Sequence, residues 1–422
     1  MSLLINSVKV SDNSSKYFNS KVNILIDSKG YIEKISKNKI SSNVKKKVDF
    51  NSKLISDSWF DFSANFCDPG YEYKEDLHSG INLAINSGFL DVVITPNTNP
   101  VIQTKSDISY IQEKSLNNFC DIHPCASITK NFNGKEMNDI IDLHKAGVKL
   151  FTNSFSDKES SEMIMNSLLY LKQINSLLIS KPLDKTFSNG VVNDGFHSNS
   201  VGLKGIPRIS ESIAVKRDLS IVEYVGGRIH FSGVSTKESV SLIRDAKKKK
   251  LNVTCDVPIY NLLLDDSNII GFDTNFKVNP PLREKEDIDA LILGIKDGTI
   301  DVIASHHQPQ DVDVKKCEFE KAKFGIISIQ TFFSNIIELS RKIPLDILLK
   351  TFSSNPKEIL GIDKSSISEG SKASFTIFDS EGSWDYKEKK NLSKSINSPW
   401  LNWSLKGRVE AVIRGNKIKE II

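Results

Sequence analysis

The chain has 422 residues, of which 39% are hydrophobic and 26% are charged, and these proportions exclude a disordered or fibrous protein. Its 56 basic and 52 acidic residues leave a formal net charge of +4, which gives little support for a nucleic-acid partner. The length suits one large barrel with appendages or a few ordinary domains.

The cysteines and the apolar runs indicate where the protein works. Five cysteines are scattered without a Cys-x-x-Cys pair, which favours a reducing compartment over a disulfide framework or a structural zinc site. The N-terminus lacks the long apolar region of a signal peptide, and no apolar run approaches the length of a membrane span. We therefore expect a cytoplasmic protein that does not associate with membranes.

Both ends of the chain have patterns that are typical of β-strands. Residues 22–26 and 31–35 alternate apolar and polar side chains on either side of a turn sequence, and residues 409–414 do the same near the C-terminus. We predict that residues 1–56 and residues 373–422 combine into one small β-sandwich domain.

Between these ends, short apolar runs alternate with helical patterns, which indicates parallel strands joined by crossover helices. Eight such units predict an α/β fold, a (βα)8 TIM barrel over residues 57–372, and an open doubly wound sheet is the alternative. The apolar runs begin near Trp59, Asp91, Asp121, Val148, Leu177, Arg228, Val253 and Asp301. The clearest helical patterns cover residues 74–87, 105–117, 238–249 and 283–296.

Active sites of such barrels lie at the carboxyl ends of the strands, so the residues after each apolar run are informative. Residues 61–76, DFSANFCDPGYEYKED, resemble a dihydroorotase signature in which Asp-x-His-x-His leads into Arg-Glu-Pro-Gly and Lys-Glu-Asp. Residues 96–100, 234–236 and 278–283 resemble further motifs of that family, in the same order. The chain is thus similar to type I dihydroorotases of the amidohydrolase superfamily over nearly its whole length.

The resemblance implies a site that opens or closes the dihydroorotate ring, with zinc supplying hydroxide and polarising an amide carbonyl. The positions that would bind zinc carry other residues. Ser63 and Asn65 match the first-strand histidines, Lys181 the fifth-strand histidine, Gly233 the sixth-strand histidine, and His306 the last-strand aspartate. Because zinc prefers imidazole, thiolate or carboxylate ligands, we expect no metal cofactor and no catalysis by the family mechanism.

Two further residues are candidates for altered chemistry. Lys149 matches a fourth-strand lysine that some relatives carboxylate to bridge two metals, and the alternative is an ion pair inside the barrel mouth. His307 follows His306, but adjacent strand residues point to opposite faces, so we expect that the two imidazoles do not reach one ion.

The positions that would bind substrate are half retained. By the resemblance, Asn97 and Asn279 match asparagines that hold the substrate carboxylate. The arginine that would assist them is matched by Cys67 and a closing histidine by Gln310, so dihydroorotate or carbamoyl aspartate would bind weakly. Asparagine beside proline also suits turns, which leaves a structural role for Asn97 and Asn279 equally open. We expect Cys67 to be a packing residue, because Asp68 beside it disfavours a thiolate.

Three functions are compatible with this sequence. The first is a non-catalytic, metal-free scaffold for another pyrimidine enzyme, for which the family offers a precedent with aspartate transcarbamoylase. The second is a residual dihydroorotase, or a related cyclic-amide hydrolase, that uses His306, His307 or Lys149. The third is a sensor that binds a pyrimidine precursor through Asn97 and Asn279. The resemblance also implies a homodimer.

Overall fold

The structure is a computed structural model, and it describes residues 2–42, 44, 46–156, 160–363 and 366–421. Within these ranges the strands are β1 (Leu3–Val10), β2 (Lys21–Ile26), β3 (Ile32–Ser36), β4 (Lys46–Asp49), β5 (Leu54–Asp57), β6 (Trp59–Ala64), β7 (Phe89–Ile94), β8 (Asp121–Ser127), β9 (Leu150–Thr152), β10 (Leu177–Ser180), β11 (Val192–Asn193), β12 (Gly205–Ile206), β13 (Ile229–Phe231), β14 (Val253–Pro258), β15 (Val302–Ala304), β16 (Ser374–Asp385), β17 (Ser404–Arg414) and β18 (Lys417–Glu420). The α-helices in the same ranges are α1 (Leu77–Asn86), α2 (Lys105–Ser115), α3 (Ile140–Lys145), α4 (Ser161–Gln173), α5 (Phe196–Val201), α6 (Ile209–Val225), α7 (Lys237–Lys248), α8 (Lys285–Lys296), α9 (Phe332–Leu339), α10 (Leu345–Thr351) and α11 (Ser354–Leu360).

Eight of these strands form a parallel sheet in the order β6-β7-β8-β9-β10-β13-β14-β15. A parallel bridge between Ala64 and His307 brings the two outer strands together, and the Asn65 N–H donates to the His307 carbonyl at 2.9 Å. The edges of the sheet therefore meet, which confirms the predicted barrel and excludes the open doubly wound alternative. Each of the eight predicted runs coincides with one of these strands.

The interior of the barrel is filled by side chains that alternate along the strands. Phe60 and Phe62 of β6 pack inside the barrel, where Ile359 and Leu360 of α11 lie in the same apolar cluster. Trp59 of β6 belongs to a second, larger cluster that the surrounding helices share. Because neighbouring strand residues point to opposite faces, one strand contributes to both cores.

Side-chain caps set where several of the helices begin. The Asp76 carboxylate accepts a hydrogen bond from the Ser79 N–H at the start of α1, and the Thr104 hydroxyl accepts from the Asp107 N–H at the start of α2. Thr236 caps α7 in the same way. Such caps satisfy backbone N–H groups that have no partner within the helix. They explain why α1 begins three residues after the start of the predicted helical pattern at residue 74.

The two ends of the chain share one sheet, in the order β18-β17-β16-β5-β1-β2-β3, with β4 beside β1. The junction is the antiparallel pair of β5 and β16, where Phe375 lies opposite Asp57. These strands enclose an apolar core of their own, separate from the two barrel clusters. The predicted union of both ends in a β domain is thus confirmed, whereas the three boundaries drawn from the sequence stay predictions.

The chain between β16 and β17 returns from this sheet to the barrel. The Ser395 hydroxyl donates to the Lys74 carbonyl at 2.8 Å. The Asn397 amide donates to the carbonyls of Gln308 and Gly325 at 3.0 and 3.1 Å. These contacts fix loops that border the carboxyl ends of the barrel strands.

None of the described helices has the length and apolar character needed to cross a membrane.

Candidate functional site

The carboxyl ends of the barrel strands surround a cavity of about 260 Å³. This end of a (βα)8 barrel is where loops from different strands converge on a ligand. Nine residues were predicted to serve catalysis, metal binding or substrate binding, and seven of them line the cavity: Ser63, Asn65, Asn97, Lys181, Asn279, His306 and His307. The other two, Gly233 and Lys149, do not line it.

The asparagines in the wall have different roles. The Asn65 side-chain oxygen accepts a hydrogen bond from the Cys67 N–H at 2.7 Å, so this residue stabilises a local turn. The side-chain oxygen of Asn97 is buried and has no hydrogen-bond partner among the described residues. Buried polar atoms are normally paired, and an unpaired one in a cavity wall is an acceptor available to a ligand. This favours the ligand-binding alternative for Asn97 over the turn-forming one.

Lys181 brings a cation into the wall directly after β10. Its backbone N–H donates to the Ser154 hydroxyl at 2.7 Å, which ties it to the loop after β9. Its ammonium nitrogen lies 5.8 Å from the centre of the Phe155 ring and makes no hydrogen bond or ion pair with the described residues. Burial lowers the pKa of Lys181, although the negative charge of Asp256 partly opposes this effect.

His306 is paired with a carboxylate behind the cavity wall. Its Nε2 lies 2.6 Å from Asp256 Oδ1, and His230 Nε2 lies 3.0 Å from the other oxygen of the same carboxylate. Burial alone would raise the pKa of Asp256, but the charge of His306 and the hydrogen bonds of both histidines outweigh it and hold the pKa well below its usual range. Asp256 therefore stays ionised inside the barrel.

His307 also lines the cavity, which corrects the expectation that adjacent residues would face opposite ways. The reason is that both residues follow the end of β15, and His306 has a left-handed backbone with φ of 49° rather than strand geometry. His307 Nδ1 accepts from the Ser328 N–H at 3.2 Å, so its neutral ring carries the proton on Nε2. That Nε2 lies 3.7 Å from Glu75, beyond hydrogen-bond distance.

Gly233 lies against the ring of His306, so the two residues restrict each other's size. Its backbone has φ of +83°, and a Cβ at this position would lie 3.2 Å from Pro280 Cδ and 3.3 Å from His306 Cε1. Its N–H donates to Asp256 Oδ1 at 2.7 Å. The His306 ring thus crowds the space that a side chain on residue 233 would need, and the backbone conformation favours glycine.

Lys149 is not in the barrel mouth, so its predicted role as a bridging or ion-paired residue there is wrong. It precedes β9, at the amino end of the strand, and its side chain is exposed. Its ammonium group donates to the carbonyl of Leu360, at the end of α11, at 3.2 Å. The motif match placed it in the correct strand but at the end remote from the cavity.

Cys67 and Gln310 do not line the cavity either. Burial raises the pKa of the Cys67 thiol to about 12, and nearby carboxylates add to this, so the expected packing role is supported. The Gln310 amide donates to the Phe324 carbonyl at 2.8 Å, and its oxygen is buried without a partner among the described residues. Neither residue supplies the cationic contact that an arginine or a protonated histidine would give.

The donor set at the predicted metal positions does not fit zinc. The described residues contain no group of three or more His, Cys, Asp or Glu side chains placed to hold a metal. At those positions Ser63 offers a weak hydroxyl donor, Lys181 adds a positive charge, and Gly233 has no side chain. His306 directs its Nε2 at Asp256 rather than into the cavity. Zinc requires several imidazole, thiolate or carboxylate ligands around one point.

Three residues that support or complete the site were not predicted from the sequence: Asp256, Glu75 and Phe155. Asp256 lies near the carboxyl end of β14, and a carboxylate at such a place is itself a signal of a functional position. Glu75 was visible only as part of a matched motif, and it accepts hydrogen bonds from the Ser79 and Ser393 hydroxyls. Nothing in the sequence marks Phe155 as a residue of the site, because a single aromatic side chain in a loop is common.

The fold, a (βα)8 barrel with an attached β domain, is shared with solved structures of other proteins. The L-hydantoinase (dihydropyrimidinase) from Arthrobacter aurescens superposes with a TM-score of 0.87 at 17% identity, covering 99% of this chain and 95% of that one. The dihydropyrimidinase from Brevibacillus agri gives a TM-score of 0.84 at 18% identity, with the same coverage. At such identities the similarity concerns the fold alone.

Sequence comparison identifies the family. Residues 52–239 match the family model described as dihydro-orotase-like. A protein named dihydroorotase from Trichlorobacter lovleyi is 35% identical over 422 residues, which is 99% of each chain. Another of that name, from Carboxydothermus hydrogenoformans, is 38% identical over 392 residues, covering 92% of this chain and 91% of that one. The chain belongs to the dihydroorotase family.

Proposed function

We propose that this protein is a dihydroorotase homologue of pyrimidine biosynthesis that has lost zinc-dependent catalysis and acts as an assembly partner, for example of aspartate transcarbamoylase. The observation that carries the proposal is the replacement of five metal-binding positions by residues that cannot form one coordination sphere, while the barrel and its mouth loops are kept. On this proposal the protein is a cytoplasmic homodimer. Each replaced residue would have bound the same metal centre, so the replacements together weaken metal binding far more than one of them would alone.

The first test is metal content together with turnover. We expect protein purified without chelator to contain far less than one zinc per chain, and to show no conversion of dihydroorotate or carbamoyl aspartate with or without added zinc. Elemental analysis and a stopped chromatographic assay measure these two quantities. One zinc per chain accompanied by turnover would refute the proposal.

The second test addresses the partner. We expect the protein to coelute with aspartate transcarbamoylase from its own source in size-exclusion chromatography, and the variant Asn97→Ala to coelute equally well, because Asn97 faces the cavity rather than the outer surface. If the two proteins elute separately at micromolar concentration, the assembly role is wrong. If Asn97→Ala alone abolishes coelution, a ligand in the cavity controls the assembly, and the scaffold proposal in its simple form fails.

One feature favours a second candidate function, a residual cyclic-amide hydrolase. The cavity is retained, and its wall contains the His306 imidazole backed by the ionised Asp256 carboxylate at 2.6 Å. A histidine oriented by a carboxylate is an arrangement that general base catalysis uses. Metal-independent turnover of dihydroorotate that His306→Ala abolishes would select this candidate.

A further inference from the structure

The chain between β15 and α9, residues 305–331, contains no helix or sheet strand in the part of the protein that the structure describes. So long an irregular segment is uncommon in a compact domain and is usually functional. Its two sides meet where the Gln308 N–H donates to the Ile326 carbonyl at 2.8 Å. Residues 309–324 therefore form a flap that leaves the barrel and returns to it at one point.

The last residue of this flap, Phe324, belongs to the cavity wall. It is half-buried, whereas polar groups elsewhere in the wall are almost closed to solvent, with Ser63 7% exposed and Asn65 3% exposed. A molecule that reaches these groups has to pass the side chains at the rim. The Phe324 ring lies where it can open or narrow this entrance, as the side chains of mobile lids do in other cavities.

Lys315 holds the backbone on both sides of Phe324. Its buried ammonium group donates to the carbonyls of Lys323 and Gly325 at 3.1 Å each, and to the carbonyl of Thr274 at 2.6 Å. An ammonium group has three hydrogens, so these three acceptors satisfy it completely. The bond to Thr274 ties the flap to the connection that follows β14.

Lys277 holds the flap from the opposite direction. It lies in the connection after β14, and its buried ammonium group donates to the carbonyls of Phe319 and Glu320, both at 2.8 Å. The same group lies 5.0 Å from the centre of the Phe324 ring, within the range of a cation–π contact. The two lysines thus fix both the ring and the backbone on either side of it.

The closed flap is held at a cost in hydration. Both ammonium groups bond only to backbone carbonyls among the described residues. Burial lowers the pKa of Lys315 to about 8, Asp273 opposes this shift, and the charge of Lys277 adds to it. The hydrogen bonds favour the closed flap, while the hydration of two like charges favours an open one. Opposing contributions of this kind allow a segment to exist in two states.

We propose that Phe324 is a gate residue that controls entry to the cavity, and that Lys315 and Lys277 are the latch that holds this gate closed. The gate acts on any molecule that enters the cavity, so it does not depend on whether the protein is catalytic. It adds to the proposed function a movable part of the barrel mouth.

Entry to the cavity can be measured with a thiol in its wall. Ser63→Cys in a Cys317→Ser background introduces that thiol, and the remaining four cysteines are buried. We expect a dipyridyl disulfide to modify this parent protein slowly. Phe324→Ala and Lys315→Met should each accelerate the modification by at least about tenfold, because the first removes the ring and the second removes its support.

A double-mutant cycle tests whether these two residues act through the same ring. Phe324→Ala combined with Lys315→Met should be modified little faster than Phe324→Ala alone, because the latch then has no ring to hold. Lys316→Met is the matched control, since Lys316 is the exposed neighbour of Lys315 in the flap, and it should react like the parent protein. Hydrogen exchange of the flap amides should accelerate in Lys315→Met and stay unchanged in Lys316→Met.

The outcomes distinguish a gate from a flap that is merely structural. Faster exchange in Lys315→Met without faster modification of the cavity thiol would mean that the lysine orders the flap but does not control entry, and would overturn the proposal. An unaffected Phe324→Ala variant, or effects of the two substitutions that multiply, would also overturn it.

A second latch variant covers the case in which Lys315→Met does not fold, which thermal unfolding identifies. Lys277→Met removes the contact with the Phe324 ring and keeps the bonds of Lys315. It should accelerate modification of the cavity thiol by at least about fivefold. A rate equal to that of the parent protein would show that Lys277 is not part of a latch.

Discussion

Replacing Asp256 with alanine should destabilise the protein by about 3–5 kcal/mol, as measured by chemical unfolding near neutral pH. The substitution leaves the Nε2 atoms of His230 and His306 and the N–H of Gly233 without their common acceptor inside the barrel. Unpaired polar groups in such a place lose their hydrogen bonds without regaining water. Asp256→Asn keeps one acceptor oxygen and should lose less stability than Asp256→Ala.

The pH dependence of the same variant provides an independent check. The pKa of Asp256 is held well below its ordinary value of 3.8, so its stabilising contribution is present above that pH and is lost as the pH falls through the folded-state pKa. The difference in unfolding free energy between the native protein and Asp256→Ala should therefore narrow in strong acid. A difference in unfolding free energy below about 1 kcal/mol at neutral pH would show that the contacts of Asp256 with the two histidines contribute little to stability.

A double-mutant cycle separates the His306 contact from the rest. Once Asp256 is alanine, the further change His306→Ala should cost less than it does in the native protein, because the ring has already lost its 2.6 Å partner. Additive effects of the two substitutions would mean that the pair has no net coupling. The cycle thus tests whether the orientation of this cavity-lining imidazole is imposed by Asp256.

The motif residues that this chain retains are those that hold the barrel together. Asp61 accepts a hydrogen bond from the Ser305 N–H at 2.8 Å, which joins β6 to the segment after β15. Gly70 has φ of +96°, and a Cβ there would lie 1.8 Å from the carbonyl oxygen of Asn99, so only glycine allows the two loops to pack. The replaced residues of the same motif include Ser63 and Asn65, at positions that the resemblance assigns to zinc, and Cys67, at a position that it assigns to the substrate.

The barrel could be predicted because its strands are buried on both sides and appear as short apolar runs of regular spacing. The placement of most candidate residues followed, since a residue just after such a run lies at the carboxyl end of a strand. Lys149 was misplaced because it precedes β9, and a sequence match alone does not distinguish the two ends of a strand. The presence of both His306 and His307 in the cavity wall depends on a left-handed backbone at His306 that the sequence pattern does not reveal.

The electrostatic support of the site was harder to predict for a physical reason. Asp256 matters through contacts with residues 26 and 50 positions away, and such pairings become visible only when the strands are adjacent in space. The surroundings of the Lys181 side chain are likewise a property of the whole cavity wall, to which residues from several strands contribute. Local patterns give the residue type but not its partners.

Replacing Lys357 with methionine should destabilise the protein by about 3–5 kcal/mol near pH 8. Its ammonium group lies 2.7 Å from Asp57 and 2.8 Å from the Ser58 hydroxyl, and both charged side chains are buried where β5 leads into the barrel. Methionine fills a similar volume but leaves the carboxylate without a cation. Lys350→Met, an exposed lysine of α10, is a suitable control and should change stability little.

The loss should depend on pH in a direction that the pKa determines. Burial raises the pKa of Asp57 to about 6, even though Lys357 opposes the shift, and removing Lys357 raises it further. For a group whose folded-state pKa is raised, stability is present at low pH and is lost as the pH rises through that pKa. The deficit of Lys357→Met should therefore grow between about pH 5 and pH 8, and the double variant with Asp57→Asn should remove this trend. A deficit that is constant over this range would show that the Asp57 carboxyl does not respond to the loss of its partner.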